Sequence, residues 1–160
     1  MDHLDRVREE FTRQGDTLTV HAVKADKKME VRFRDAIGDA GNGSILDVAC
    51  GPGVVTAALA QRAAKITAFD ATPAMLEKAR AHCEEAGLEN IIFRVGNAQA
   101  MFFEDASFDG VVTRLAIHHF NKPQDVMNEV FRVLKPGGRA IIVCLLYTSP
   151  SPRDRTRSRM

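Results

Sequence analysis

Apolar residues along this 160-residue chain follow two alternating rhythms. Short runs rich in Val, Ile and Phe occur at Ile45–Val48, Lys65–Asp70, Asn90–Val95, Phe108–Arg114 and Arg139–Val143. Each run is nearly continuous, as expected of strands buried on both faces of a parallel sheet. Between the runs, apolar residues recur every third or fourth position, the helical spacing. Val54 to Ala60 is small and apolar throughout. Met75, Leu76, Ala79 and Cys83 make a stripe that Gly87 ends. Val126, Met127, Val130, Phe131 and Leu134 make another behind Pro123, and Lys135 to Gly138 turns it into the fifth run. This alternation predicts an α/β fold with helices on both sides of a mainly parallel sheet. Ahead of it, Leu4, Val7 and Phe11 form one stripe, and Val20, Val23, Met29, Phe33 and Ile37 a second. Residues 1–38 therefore read as two helices, with Gln14 and His21 the polar groups there that could reach a substrate.

The turn after the first run carries the chemistry. Ile45-Leu46-Asp47-Val48-Ala49-Cys50-Gly51-Pro52-Gly53 is a strand entering a glycine turn just before a helix. Backbone N–H groups at such a turn suit an anionic ligand group, and Asp47 offers a carboxylate to an amine or hydroxyl. Glycine spacing separates the cofactor classes. A dinucleotide site asks for G-x-G-x-x-G, and here Thr56 stands where the third glycine would be. A carboxylate at the strand end also repels a pyrophosphate while suiting a cationic ligand. The second run closes on Asp70, about twenty residues on, as ribose recognition requires. Thr72 is placed to N-cap the next helix, with Pro73 at its first position and Met75 able to cover an adenine. Asn97, after the third run, is either a turn residue or an acceptor for a ligand amine.

Together these motifs resemble a known family. Asp47-x-Ala49-x-Gly51-x-Gly53 is similar to motif I of the class I S-adenosylmethionine-dependent methyltransferases, with Ala49 in place of the usual first glycine. Ser107-Phe108-Asp109-x-Val111 leading to His118-His119-Phe120 resembles the type 11 and ubiquinone/menaquinone-biosynthesis methyltransferases. Leu134-Lys135-Pro136-Gly137-Gly138 is a further hallmark of that group. The resemblance covers residues 40 to 143. It implies a Rossmann-like three-layer sandwich with strand order 3-2-1-4-5, S-adenosyl-L-methionine as cofactor and a small-molecule methyl acceptor. By the same resemblance, Asp70 and Ala71 lie at the ribose, and Asn97, Ala98 and Met75 at the adenine. Ala49, Gly51, Pro52 and Gly53 hold the methionine portion, with Asp47 near its ammonium. The backbone around Arg114 touches that end too. His118 and His119 follow the fourth strand and either serve as general base, His119 being nearer the pocket, or shape the loop. Two other readings stay open: a nicotinamide-dependent dehydrogenase, and a non-catalytic fragment that binds nucleoside.

The resemblance divides the chain into a helical cap (1–38), a cofactor domain lacking the family's last two strands (39–143) and a tail (144–160). The missing strands would leave the fifth as an exposed apolar edge, so the chain is expected to be poorly soluble or partly unfolded. From Cys144 on, the sequence reads like a sequencing adapter translated in frame with a broken gene, and it is set aside from the fold. Its Arg153, Arg155, Arg157 and Arg159 face a single Asp154, so the rest of the chain is net acidic although the whole is +1. That argues against a nucleic-acid surface. Cys50, Cys83 and Cys144 form no metal-ligand spacing, and no apolar run is long enough to span a membrane. A reduced, cytoplasmic setting is the expectation. Quinone precursors, other small metabolites and arsenic species all remain candidate acceptors.

Overall fold

The computed structural model describes residues 2, 4–6, 8–10, 12–13 and 27–144. Val7, Phe11, Gln14, Val20, His21 and Val23 lie outside the described residues, as do residues 145–160. Five strands, β1 (Ser44–Val48), β2 (Lys65–Asp70), β3 (Ile91–Val95), β4 (Phe108–Arg114) and β5 (Leu134–Val143), pair in the order β3-β2-β1-β4-β5. Every neighbouring pair is parallel. The helices are α1 (Lys27–Ile37), α2 (Val54–Ala60), α3 (Pro73–Glu85) and α4 (Pro123–Val133). The chain is thus an α/β Rossmann-like fold with the expected strand order.

Successive side chains of a strand point to opposite faces, which lets one short run feed two cores. Ile45 of β1, with Ile66 and Val112, packs against Phe33 and Ile37 of α1 and Val55 and Leu59 of α2. Leu46 and Val48, with Phe69 and Val111, pack against Val126, Val130 and Val133 of α4. Those three α4 valines are fully buried, each contributing about 1.5 kcal/mol or more. Phe131, expected on the same stripe, is 69% exposed. It sits about 100° around the helix from Val130, past the width of the buried face. The neighbouring Arg132 holds the loop between β3 and β4 instead. It pairs with Glu129 and Asp105 and donates to the Met101 and Phe103 carbonyls.

β5 begins five residues earlier than expected. Leu134 already pairs with Phe108, and the next pair is Gly110 with Arg139, so residues 135–138 bulge out of the ladder. Gly138 fits there because a Cβ would meet the Asp109 carbonyl oxygen at 2.8 Å. Asp109 anchors the bulge: it accepts from Lys135 Nζ at 2.9 Å and from the Ser44 N–H at 2.8 Å. Two of the sequence hallmarks, Ser-Phe-Asp and Leu-Lys-Pro-Gly-Gly, therefore form one fastening at the amino edge of the sheet. Among the described residues no strand pairs with the outer side of β5, where Ile142 and Val143 are exposed.

Candidate functional site

In a parallel sheet the chain leaves every strand on the same side, so the β1, β2, β3 and β4 ends converge above the carboxyl edge. There they surround a cavity of about 370 Å³. Asp47, Ala49, Gly51, Pro52, Asp70, Ala71, Met75, Asn97, Ala98, Arg114 and His119 all line it. Two expected residues do not. His118 is exposed outside the lining, its ring stacked on His119 with centroids 4.0 Å apart. Gly53 is buried between helices: a Cβ would meet that of Ala79 on α3 at 2.8 Å, and its φ of +82° is left-handed. Gly53 thus serves close helix packing, the task the third glycine performs in a dinucleotide fingerprint.

Asp70, at the end of β2, organises the rim. One carboxylate oxygen accepts the Gly51 N–H at 2.9 Å and the other the Thr72 N–H at 2.8 Å. A carboxylate has about four acceptor sites, so each oxygen keeps capacity for a ligand hydroxyl. Burial raises its pKa, against the opposing effect of those N–H groups. Thr72 begins α3 as expected, with Pro73 behind it, but its side chain makes no cap bond. Asp70 has taken over the work at that turn.

Asp47 sits deeper, only 2% exposed. The Thr56 hydroxyl of α2 donates to it at 2.6 Å. Burial, and secondarily the nearby Asp70 charge, push its pKa up to about 7, while the Thr56 bond and Arg114 pull the other way. Thr56 was noticed in the sequence only as a missing glycine. One turn into α2, it faces back to the strand end, which is where a partner for a buried strand-end acid has to come from. Cys50 and Phe69, also lining the cavity, were not anticipated either.

Ala49 and Leu115 follow β1 and β4 directly, both line the cavity, and both are left-handed, with φ of +56° and +54°. Such strain in side-chain-bearing residues collects at functional sites. The glycine usual at position 49 would carry none of it. Ala49→Gly is expected to raise stability by about 0.5–1 kcal/mol, the strain relieved being offset in part by the unfolded-state entropy of glycine. Chemical denaturation measures this, and a destabilised variant would contradict it.

The remaining walls come from elsewhere. Asn97 Oδ1 accepts the Gln99 N–H at 2.9 Å, so this side chain shapes its turn while facing the cavity. Met75, buried in α3, and Phe69 supply apolar lining. Asp2 and Leu4 also reach the cavity, and Arg8 donates to the Ala71 carbonyl at 2.8 Å, bringing the N-terminal residues over the β2 end. Partial burial and the neighbouring His118 hold the His119 pKa down, with Glu10 opposing. His119 is therefore a neutral imidazole near pH 7, able to accept a proton. Among the described residues there is no cluster suited to a metal ion and no helix long and apolar enough to cross a membrane.

Residues 46–142 match a family described as a methyltransferase domain. A demethylmenaquinone methyltransferase of Clavibacter sepedonicus is 35% identical over 139 residues, 87% of this chain and 56% of that protein. A demethylmenaquinone methyltransferase of Lactococcus lactis subsp. lactis is 39% identical over 118 residues, 72% of this chain and 46% of that one. The solved structure of YcgJ protein from Bacillus subtilis is similar with a TM-score of 0.69 at 31% identity, covering 73% of this chain and 50% of that chain. The chain spans about half the length of these relatives.

Proposed function

We propose, from the premise that the chain belongs to the class I S-adenosylmethionine-dependent methyltransferase family, that it serves in-line methyl transfer to a small-molecule acceptor. The observation that carries this reading is the convergence of Asp47, Asp70 and Asn97 on a single cavity. The donor set suits an adenosyl sulfonium. Asp70 retains acceptor capacity for a ribose diol, Asn97 offers an amide near the β3 end, and Met75 and Phe69 give an apolar wall for a base. Buried Asp47 favours a cationic group and disfavours the pyrophosphate of a dinucleotide.

When bound, S-adenosylmethionine supplies an activated methyl group on a good leaving group. The protein's share is then to orient and to exclude water. Asp70 and the Gly51 turn fix the nucleoside end, and Asp47 the ammonium. His119 takes the proton of an acceptor hydroxyl or carbon acid, its lowered pKa keeping it free to do so. The acceptor enters from the side of His119 and Phe120. A phenolic or quinol ring is the first acceptor class to try, since two of the relatives are demethylmenaquinone methyltransferases.

Calorimetry with S-adenosylhomocysteine and with NAD tests the cofactor: the first should bind and the second should not. Comparable NAD binding would return the chain to the dehydrogenase reading. Methyl-labelled S-adenosylmethionine with a quinol acceptor then separates transfer from mere nucleoside binding.

A further inference from the structure

Arg114 stands apart from the other basic side chains of the sheet region. Lys135 is fastened to Asp109, Arg132 to Glu129 and Asp105, and Arg139 to the Ala36 carbonyl. The Arg114 guanidinium has no hydrogen-bond or ion-pair partner among the described residues, although it is half-buried and lines the cavity. It is the sole Lys or Arg in that lining. A partly desolvated cation held without a fixed counter-group is costly, and an anion delivered by a ligand offsets that cost.

Register fixes its position relative to Asp47. Asp47 is directly opposite Val112 in the β1–β4 ladder. Arg114 lies two residues beyond Val112, so it leaves the sheet on the same face as Asp47, about 7 Å further toward the carboxyl edge. The two strands are about 4.8 Å apart. A short acid and a long base of opposite charge thus look into one cavity from adjacent strands. That is the arrangement needed to bracket a group carrying an ammonium and a carboxylate on a single carbon. Elsewhere the rim is acidic, with Asp70 at the β2 end and Asp2 above, and would repel an anion.

Resting on the cofactor reading above, we propose that the Arg114 guanidinium binds the α-carboxylate of the cofactor's amino-acid end, completing a zwitterion clamp with Asp47. Arg114 therefore sets the direction of the ligand, carboxylate toward β4 and nucleoside toward β2 and β3. It also makes the site discriminate between adenosyl ligands that carry the amino acid and those that lack it.

The test compares S-adenosylhomocysteine with 5′-methylthioadenosine, which keeps the thioether nucleoside and lacks the amino acid. Both are titrated calorimetrically into wild type, Arg114→Gln and Arg114→Lys. Arg114→Gln should lose about 10- to 100-fold in affinity for S-adenosylhomocysteine, the range for a charge-assisted pair, and change little toward 5′-methylthioadenosine. Arg114→Lys should recover part of the loss. Retained binding of 5′-methylthioadenosine doubles as proof that the variants fold. Equal losses for both ligands, or an undiminished affinity for S-adenosylhomocysteine, overturns the clamp while leaving the cofactor reading in place. The second of those results would hand the guanidinium to an anionic acceptor. Wild type that binds neither ligand overturns the cofactor reading and the clamp with it.

Discussion

Asp70→Ala should weaken S-adenosylhomocysteine binding by about 100-fold or more, the largest loss expected of any single change at this rim. Two effects add. The carboxylate is the acceptor placed for both ribose hydroxyls, and hydrogen bonds to a charged group are worth roughly 1.5–3 kcal/mol each. Its removal also releases the N–H groups of Gly51 and Thr72, which it now ties together across the cavity mouth. Asp70→Asn separates the effects. The amide keeps one acceptor oxygen but cannot satisfy both N–H groups, so its affinity should fall between wild type and Asp70→Ala. Calorimetry on all three proteins decides the matter, with far-ultraviolet circular dichroism to establish that each is folded. Unchanged affinity in Asp70→Ala would remove the ribose assignment altogether.

The parts legible in the sequence were those that depend on strand ends. β2 and β4 occur where the apolar runs placed them, and a parallel sheet puts strand-end residues together whatever the helices do. Asp47, Asp70, Asn97 and Arg114 follow from that alone. What stayed hidden depends on helix rotation and on backbone conformation. Thr56 was visible as a departure from a glycine pattern, yet its bond to Asp47 needs α2 seated at one particular rotation. Ala49 looked like an exchange of one small residue for another, whereas its φ of +56° makes the Cβ a liability. His118 and His119 are sequence neighbours with equal claims on paper, and the 3-10 turn of Ile117–His119 turns one toward the cavity and the other away. The early start of β5 was masked by Pro136 and its two following glycines, which read as a stop but lie in a bulge.

Asp47→Asn should make the protein more stable and a poorer ligand binder at the same time. With a pKa raised from 3.8 to about 7, ionising Asp47 costs on the order of 4 kcal/mol more in the folded chain than in the unfolded one. The sign follows from that order. The folded state holds the proton more tightly, so the associated stability is fully present below pH ~4 and is lost as pH rises through about 7. Asparagine keeps the shape and an acceptor for the Thr56 hydroxyl without the charge. At pH 8 the variant should therefore be about 1–3 kcal/mol more stable by denaturant titration, an advantage that shrinks toward pH 4. Asp70 titrates upward as well, but it does so in both proteins and drops out of the difference. Binding should move the opposite way. Wild-type affinity for S-adenosylhomocysteine should fall as pH is lowered from 8 to 6 and Asp47 takes up its proton, whereas the variant starts about tenfold weaker and changes less. A variant that is less stable than wild type at pH 8, or that binds as well, would mean the acid is retained for packing rather than for a cationic ligand.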